Sequence, residues 1–351
     1  MKKTLKWTAV ALLTPIVALA MFALLFYFPP FQNWAVRQVA AYASERTGME
    51  ISVEHVHLAF PLDLSVEGVK VIQNGQGLRD TLIDASQVVV DVQFFPLFRG
   101  QVEVDALEFH QTKLNTDGLI PDLHIKGDVG SLSLESHGIN LKAEEILVNS
   151  LSLADASVDV ILTDTVPPDT TESEPLRWKA FIERADIQRS DIRITLPDTT
   201  LIAARMQKAT LSDGRLDLGA KLYEVRSLNV KGGKFSYGQQ QVDISRLSTG
   251  FLLANQHLRL TNLEAETEGS KLRTNLDLDL NAFDKNSPGQ MSVALNGSFS
   301  KKDLIRFLPN MPKDFWHRWP DQPLSIDGVM KGNLQHAWLH GVNIKLPTAF
   351  T

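Results

Sequence analysis

Residues 88–107 read VVVDVQFFPLFRGQVEVDAL. Val88, Val90, Val92 and Phe94 alternate with Val89, Asp91 and Gln93. Past the turn signals Pro96 and Gly100, Val102, Val104 and Ala106 alternate with Glu103, Asp105 and Leu107. Successive side chains of a strand point to opposite sides, so a period of two marks strands with one face buried and one wet. The pattern spreads both ways. Upstream, Ile51, Val53, His55 and His57 alternate with Ser52, Glu54 and Val56, and Leu62, Leu64 and Val66 precede Val69 and Val71. Downstream come Leu132/Leu134, Leu151/Leu153, Val158/Val160, Leu216/Leu218, Leu276/Leu278/Leu280 and Val293/Leu295.

A short unit recurs within these runs: an apolar residue, then a small or turn residue three places on, then apolar residues at alternate places. Copies begin at Phe109 (with Thr112, Leu114), Leu153 (Ala156, Val158, Val160), Ile187 (Ser190, Ile192, Ile194), Leu211 (Gly214, Leu216, Leu218) and Val230 (Gly233, Phe235, Tyr237). Their starts are 44, 34, 24 and 19 residues apart, too irregular for a propeller or a β-helix. Read as strand, turn and returning strand, the unit predicts hairpins and an antiparallel ladder.

Before the ladder, Trp7 to Phe28 runs for 22 residues without a charge. At about 1.5 Å per residue that is roughly 33 Å of helix, enough to cross a hydrocarbon core. Trp7 and Tyr27 stand at its ends, and Leu12, Leu13, Ile16, Val17, Leu19, Phe22, Leu24, Leu25 and Phe26 supply its apolar surface. Lys2, Lys3 and Lys6 precede it, and the next basic residue is Arg37, which places residues 1–6 in the cytoplasm and the body beyond the membrane. Ala18-Leu19-Ala20 has the form of a signal-peptidase site, but the apolar run continues past it, favouring a retained single-pass anchor. Either reading exports the body.

The segment 29–48 predicts a capping helix, with Phe31, Trp34, Ala35, Val39 and Tyr42 on one face and a stop at Gly48. Residues 49–162 form a first run of strands and 178–300 a second. Between them 163–177 is an acidic loop rich in Pro and Thr. Residues 301–320 lose the period of two and read as a short helical insertion, Lys302–Leu308 and then Asp314–Trp319. Strands resume over 321–351 and end on Val342, Ile344 and Leu346 without a closing helix, which predicts the N-terminal part of a longer protein.

The chain has 351 residues, no cysteine and a net charge of −6. That excludes disulfides and thiolate chemistry, and disfavours nucleic acid as a partner. Paired histidines (His55 and His57, His336 and His340) lack a third ligand in sequence. Asp277 and Asp279 sit opposite Leu276, Leu278 and Leu280, as on the wet face of a strand. Gly75-Gln76-Gly77 is no dinucleotide fingerprint, and neither a nucleophile elbow nor a P-loop occurs. The expectation is a protein that is not an enzyme and takes no cofactor.

One order of segments is distinctive. The anchor and short helix lead to Thr47-Gly48-Met49-Glu50-Ile51-Ser52-Val53, then Leu58-Ala59-Phe60-Pro61-Leu62-Asp63-Leu64 and Val66-Glu67-Gly68-Val69, then the stretch from Val90 to Val104. This order resembles the start of AsmA-like proteins, nearest the TamB (translocation and assembly module) branch of Bacteroidetes-type bacteria. The match is closest over about Met1 to Leu114 and is one of style thereafter. TamB's C-terminal domain has no counterpart in these residues.

The resemblance implies a Gram-negative inner-membrane protein whose periplasmic β-taco or β-groove, of the bridge-like lipid-transfer type, carries phospholipid toward the outer membrane. An outer-membrane barrel assembly protein is the implied partner. The expected lining is Val88, Val90, Val92, Val102, Val104, Leu132, Leu134, Val158, Val160, Leu216 and Leu218. Periodicity leaves two other readings open. The apolar face seals itself into a sandwich, barrel or solenoid, or the ladder is an anchored scaffold for outer-membrane strands.

Overall fold

The computed structural model describes residues 28–59, 63–75, 78–92, 104–116, 123–140, 144–163, 177–196, 199–238 and 240–346, apart from 283, 285, 309 and 334. The chain is mainly β and divides into two compact units, Met1–Asn115 and Thr116–Thr351. The apolar span 7–28 lies outside the described residues except for Phe28. Among the described residues no helix is long and apolar enough to cross a membrane.

The first unit opens with α1 (Pro29–Thr47). Two prolines fill its first turn, where a fixed φ and a missing N–H do no harm. Gly48 ends it in the left-handed region at φ 69°, its N–H donating to Ser44 O at 3.0 Å. The strands are β1 (Met49–Ser52), β2 (His55–Ala59), β3 (Asp63–Gly75), β4 (Leu78–Val92) and β5 (Val104–Asn115). They run antiparallel in the order β1-β3-β4-β5, with β2 also on β3. The helix packs on β1 and β2 through the i, i+4 row Gln32, Val36, Ala40 and Ser44. Asn33 Oδ1 accepts Val56 N–H at 2.9 Å and Ser44 Oγ accepts Ile51 N–H at 2.9 Å. Of the residues expected on the packed face, Trp34 is instead 57% exposed. The two bonds from the Asn33 and Ser44 side chains to backbone are polar docking contacts that the hydrophobic pattern of the helix could not reveal.

The second unit contains β6 (Leu123–Asn140), β7 (Glu145–Leu162), β8 (Lys179–Thr195), β9 (Leu201–Asp217), β10 (Leu222–Tyr237) and β11 (Gln240–Ala254). Shorter strands follow: β12 (His257–Glu266), β13 (Lys271–Asp279), β14 (Met291–Phe299), β15 (Leu324–Gly332) and β16 (Ala337–Lys345). Each pairs with the next. The described pairings are antiparallel with one exception, β7 with β8, which run parallel. The hairpin expectation fails there because residues 163–178 separate the two strands, a connection long enough for a crossover. The acidic loop thus joins neighbours within one unit.

Between β14 and β15 lie α2 (Lys301–Phe307) and α3 (Lys313–Arg318). Asp303, 4% exposed, accepts hydrogen bonds from Ser270 Oγ at 2.5 Å, Thr267 Oγ1 at 2.6 Å and Ser300 Oγ at 3.0 Å. Phe315, Trp316 and Trp319 pack together at 5.1 to 5.8 Å between ring centroids.

The recurring unit of the sequence is not a turn. In all five copies the strand continues through it, and the residue just before the small one is Gln111, Asp155, Arg189, Asp213 or Gly232, each with positive φ. These residues fall into rows that cross neighbouring strands. In the first unit Gly68, Ser86 and Gln111 form one row across β3, β4 and β5. In the second, Gly130, Asp155, Arg189, Gln207, Gly232 and Ser245 form a row from β6 to β11. Asn149, Glu183, Asp213 and Arg226 lie in another row, which the bulge at Asn262 continues on β12. Each row is a crease. The two creases stand six residues apart, from 183 to 189 on β8, 207 to 213 on β9 and 226 to 232 on β10. That is roughly 20 Å of strand.

Candidate functional site: the apolar face

At each crease the alternation slips by one, so apolar residues stay on one side of a bent strand. β7 carries Val148, then Leu151 and Leu153, then Ala156, Val158 and Val160. β8 carries Ile182, then Ala185 and Ile187, then Ser190, Ile192 and Ile194. On a flat strand residues three apart face opposite ways. Here Met206 and Ala209, which flank Gln207 and Lys208, share one packed cluster with Val230. The apolar side is therefore the inside of the bend. Several of its corner positions carry small residues: Ala156, Ser190, Ala185 and Ala209 are all buried.

Of the residues expected to line a groove, Leu132, Leu134, Val158, Val160 and Leu216 stand on this apolar face of the second unit, and those on β4 and β5 belong to the first unit. Val88 pairs with Val66 and Phe109, and Val90 with Leu64 and Leu107. Val92 pairs with Val104, while Val102 lies outside the described residues. Leu132 opposes Leu153 and Leu134 opposes Leu151. Val158 lies between Gly127 and Ile192, and Val160 between Ile125 and Ile194. Leu216 lies between Ala180 and Tyr223. Leu218 follows the end of β9, its N–H donating to Trp178 O at 3.0 Å. Val88, Val90, Leu132, Leu134, Val158, Val160, Leu216 and Leu218 are all half-buried.

The opposite face is a lattice of charge. Arg205 pairs with Asp191 at 2.8 Å, Arg259 with Asp277 at 2.7 Å and Arg273 with Glu264 at 3.1 Å, each across adjacent strands. Cavities of about 500 and 470 Å³ open on this polar side, over β12 to β16. Asp277 and Asp279 are on it too, but a partner that spacing could not show stands between them. His257 Nε2 lies 2.7 Å from Asp277 and Nδ1 2.9 Å from Asp279. Hydrogen bonding to Asp279 raises the His257 pKa against the opposing effect of burial, and the charge of Asp277 adds to the rise. His55 and His57 are exposed on β2, opposite Glu67 and Ser65. Among the described residues no three His, Cys, Asp or Glu groups are placed to hold a metal.

β16 differs from the other strands of its unit. All nine of its residues are exposed, including Trp338 at 61% and Ile344 at 62%. No family model matches the chain, and no curated protein does. What the geometry defines is a class: a creased β-ladder, greasy inside its bends and charged outside.

Proposed function

We propose that the inner face holds lipid acyl chains, and that the protein, held at the inner membrane by residues 7–28, conveys phospholipid across the periplasm toward the outer membrane. One observation carries the reading: the larger apolar residues of β7 and β8 gather on the inside of the bends, yet most of them remain half-buried there. A sealed sandwich would bury them. Covering such surface yields about 25 cal/mol per Å² of apolar area, and neighbouring strands offer similar seats. A chain could then shift from one seat to the next without falling into a deep trap. No residue performs chemistry, so direction comes from a gradient or from partners.

The test uses the full chain in cells, with a photo-crosslinking residue at Val158 or Ile192 on the inner face, or at Ser157 or Arg193 on the charged face. Phospholipid adducts at the first pair and none at the second are expected. Absence of adducts at Val158 and Ile192 removes the reading.

The exposed apolar side chains of β16, Trp338, Leu339 and Ile344, favour a second reading, an anchored scaffold that takes up strands of outer-membrane proteins. On that reading a crosslinker at Leu339 captures an extended polypeptide, and inner-face positions capture no lipid.

A further inference from the structure

We infer that the polar face of β13 to β16 binds a neutral, N-acetylated oligosaccharide, at a site independent of the acyl-chain reading. Two rows of side chains cross these strands on that face. One runs Arg273, Asn296, Asp327 and Asn343, and the next runs Lys271, Ser298, Ser325 and Lys345. On β13 the charges are matched by β12: Arg273 pairs with Glu264 at 3.1 Å and Lys271 with Glu266 at 3.5 Å. From β14 onward the matching stops. Among the described residues the side chains of Asn296, Ser298, Ser325, Asp327, Asn343 and Lys345 have no hydrogen-bond or ion-pair partner. All six line the cavity of about 500 Å³. Asp327 is half-buried, and its two cross-strand neighbours, Asn296 and Asn343, are neutral. A carboxylate so placed gains from any donor that a ligand brings.

The chemistry of the cavity selects the ligand. Its charges balance, with Glu264, Glu266 and Asp327 against Lys271, Arg273 and Lys345, so it holds no excess field for an anion or a cation. The unpaired amides, hydroxyls and carboxylate set donors beside acceptors at the roughly 4.8 Å spacing of strands. Sugar hydroxyls, each both donor and acceptor, answer such a surface. The backbone groups of β14 and β15 are already engaged by strands on both sides, so an extended peptide has no ladder to join here. Beyond Asp327 the next row carries Ala294 and Val329, which also line the adjoining cavity and offer a small apolar seat for an acetamido methyl. One row further, Lys331 stands beside Trp338, whose ring is 61% exposed. From Asp327 to Lys331 is roughly 13 Å of strand. An oligosaccharide lying along β15 therefore meets hydrogen-bonding groups at one end and an indole face at the other, where a ring can stack.

The experiment titrates the full chain, in nanodiscs, with tri-N-acetylchitotriose by calorimetry, and with maltotriose as a neutral sugar lacking acetamido groups. Circular dichroism checks that each variant keeps its sheet. Wild type is expected to bind tri-N-acetylchitotriose saturably and maltotriose more weakly. Asp327→Ala is expected to weaken binding about tenfold, the loss of hydrogen bonds to one charged group. Trp338→Ala and Asn343→Ala are expected to weaken it severalfold, and Arg205→Ala, on the polar side of β9, to leave it unchanged. Absence of saturable binding in wild type, maltotriose binding as tightly as tri-N-acetylchitotriose, or undiminished binding in folded Asp327→Ala and Trp338→Ala chains overturns the inference. None of these outcomes touches the acyl-chain reading, which the crosslinks at Val158 and Ile192 test separately.

Discussion

Asp303 shows how one carboxylate can fix a helix. Burial alone would raise its pKa, but the hydroxyls of Ser270, Thr267 and Ser300 and the charge of Arg306 together hold it below the usual value of 3.8. A depressed folded-state value means its stabilisation is complete above the unfolded value and lost as pH falls through the folded one. Asp303→Ala strands three hydroxyl donors and is expected to cost about 1–3 kcal/mol in urea unfolding. His257 has the opposite sign. Its pKa stands above the ordinary 6.5, so its contribution is whole below 6.5 and fades as pH rises through the folded value. NMR titration of the imidazole should place it above an unperturbed histidine, and Asp279→Asn should bring it down. An unchanged His257 titration in that variant would mean the contact with Asp279 does not hold in solution.

At the scale of the element, the crease decides stability. A left-handed residue other than glycine costs roughly 1–2 kcal/mol, yet Asp155, Arg189 and Asp213 adopt it in the middle of strands. Glycine ordinarily weakens a strand. Asp213→Gly should instead leave thermal stability unchanged or raise it, because its partner Arg226 is 3.6 Å away and exposed. Gly232→Val should lower stability by at least 1–2 kcal/mol: φ is +62°, and a Cβ would meet the side chain of Gln207 at 2.5 Å. Melting temperatures of the two variants check both signs. Much of this element was legible in the sequence. The apolar steps from Leu153 to Ala156 and from Ile187 to Ser190 are the creases themselves, visible as a step of three in a period of two. What could not be read is that the chain carries straight on. A small residue after a polar one signals a turn and a mid-strand bend alike, and only pairing with both neighbours separates them. The parallel β7–β8 pair was hidden for a related reason: periodicity fixes which face is apolar and carries no information on strand direction.

At the scale of the whole chain, the ladder has an unusual distribution of burial. Strands of 15 to 18 residues in the second unit carry apolar sets of six or seven side chains, and the fully buried ones are mostly alanine, serine or valine at corners. The larger side chains on the arms, such as Val160, Ile192 and Ile194, stay half-exposed. A fold with so much unsatisfied apolar area should gain stability from whatever covers it. A ligand that binds only the folded state stabilises it by RT ln(1 + [L]/Kd), about 2.7 kcal/mol at a hundredfold excess over Kd. Full-length protein held in nanodiscs of a lipid with short, fixed chains should therefore melt several degrees higher when supplied with long-chain phospholipid than when stripped of it. The gain should shrink when Val158, Ile192 and Leu211 are together replaced by aspartate, because a charge on the inner face must be desolvated before a chain can lie over it. Replacing Ser157, Arg193 and Ser212 on the outer face should leave the gain intact. A melting point indifferent to phospholipid in wild type would mean that the half-buried face is satisfied by water alone, and the ladder would then have to be understood through its charged side.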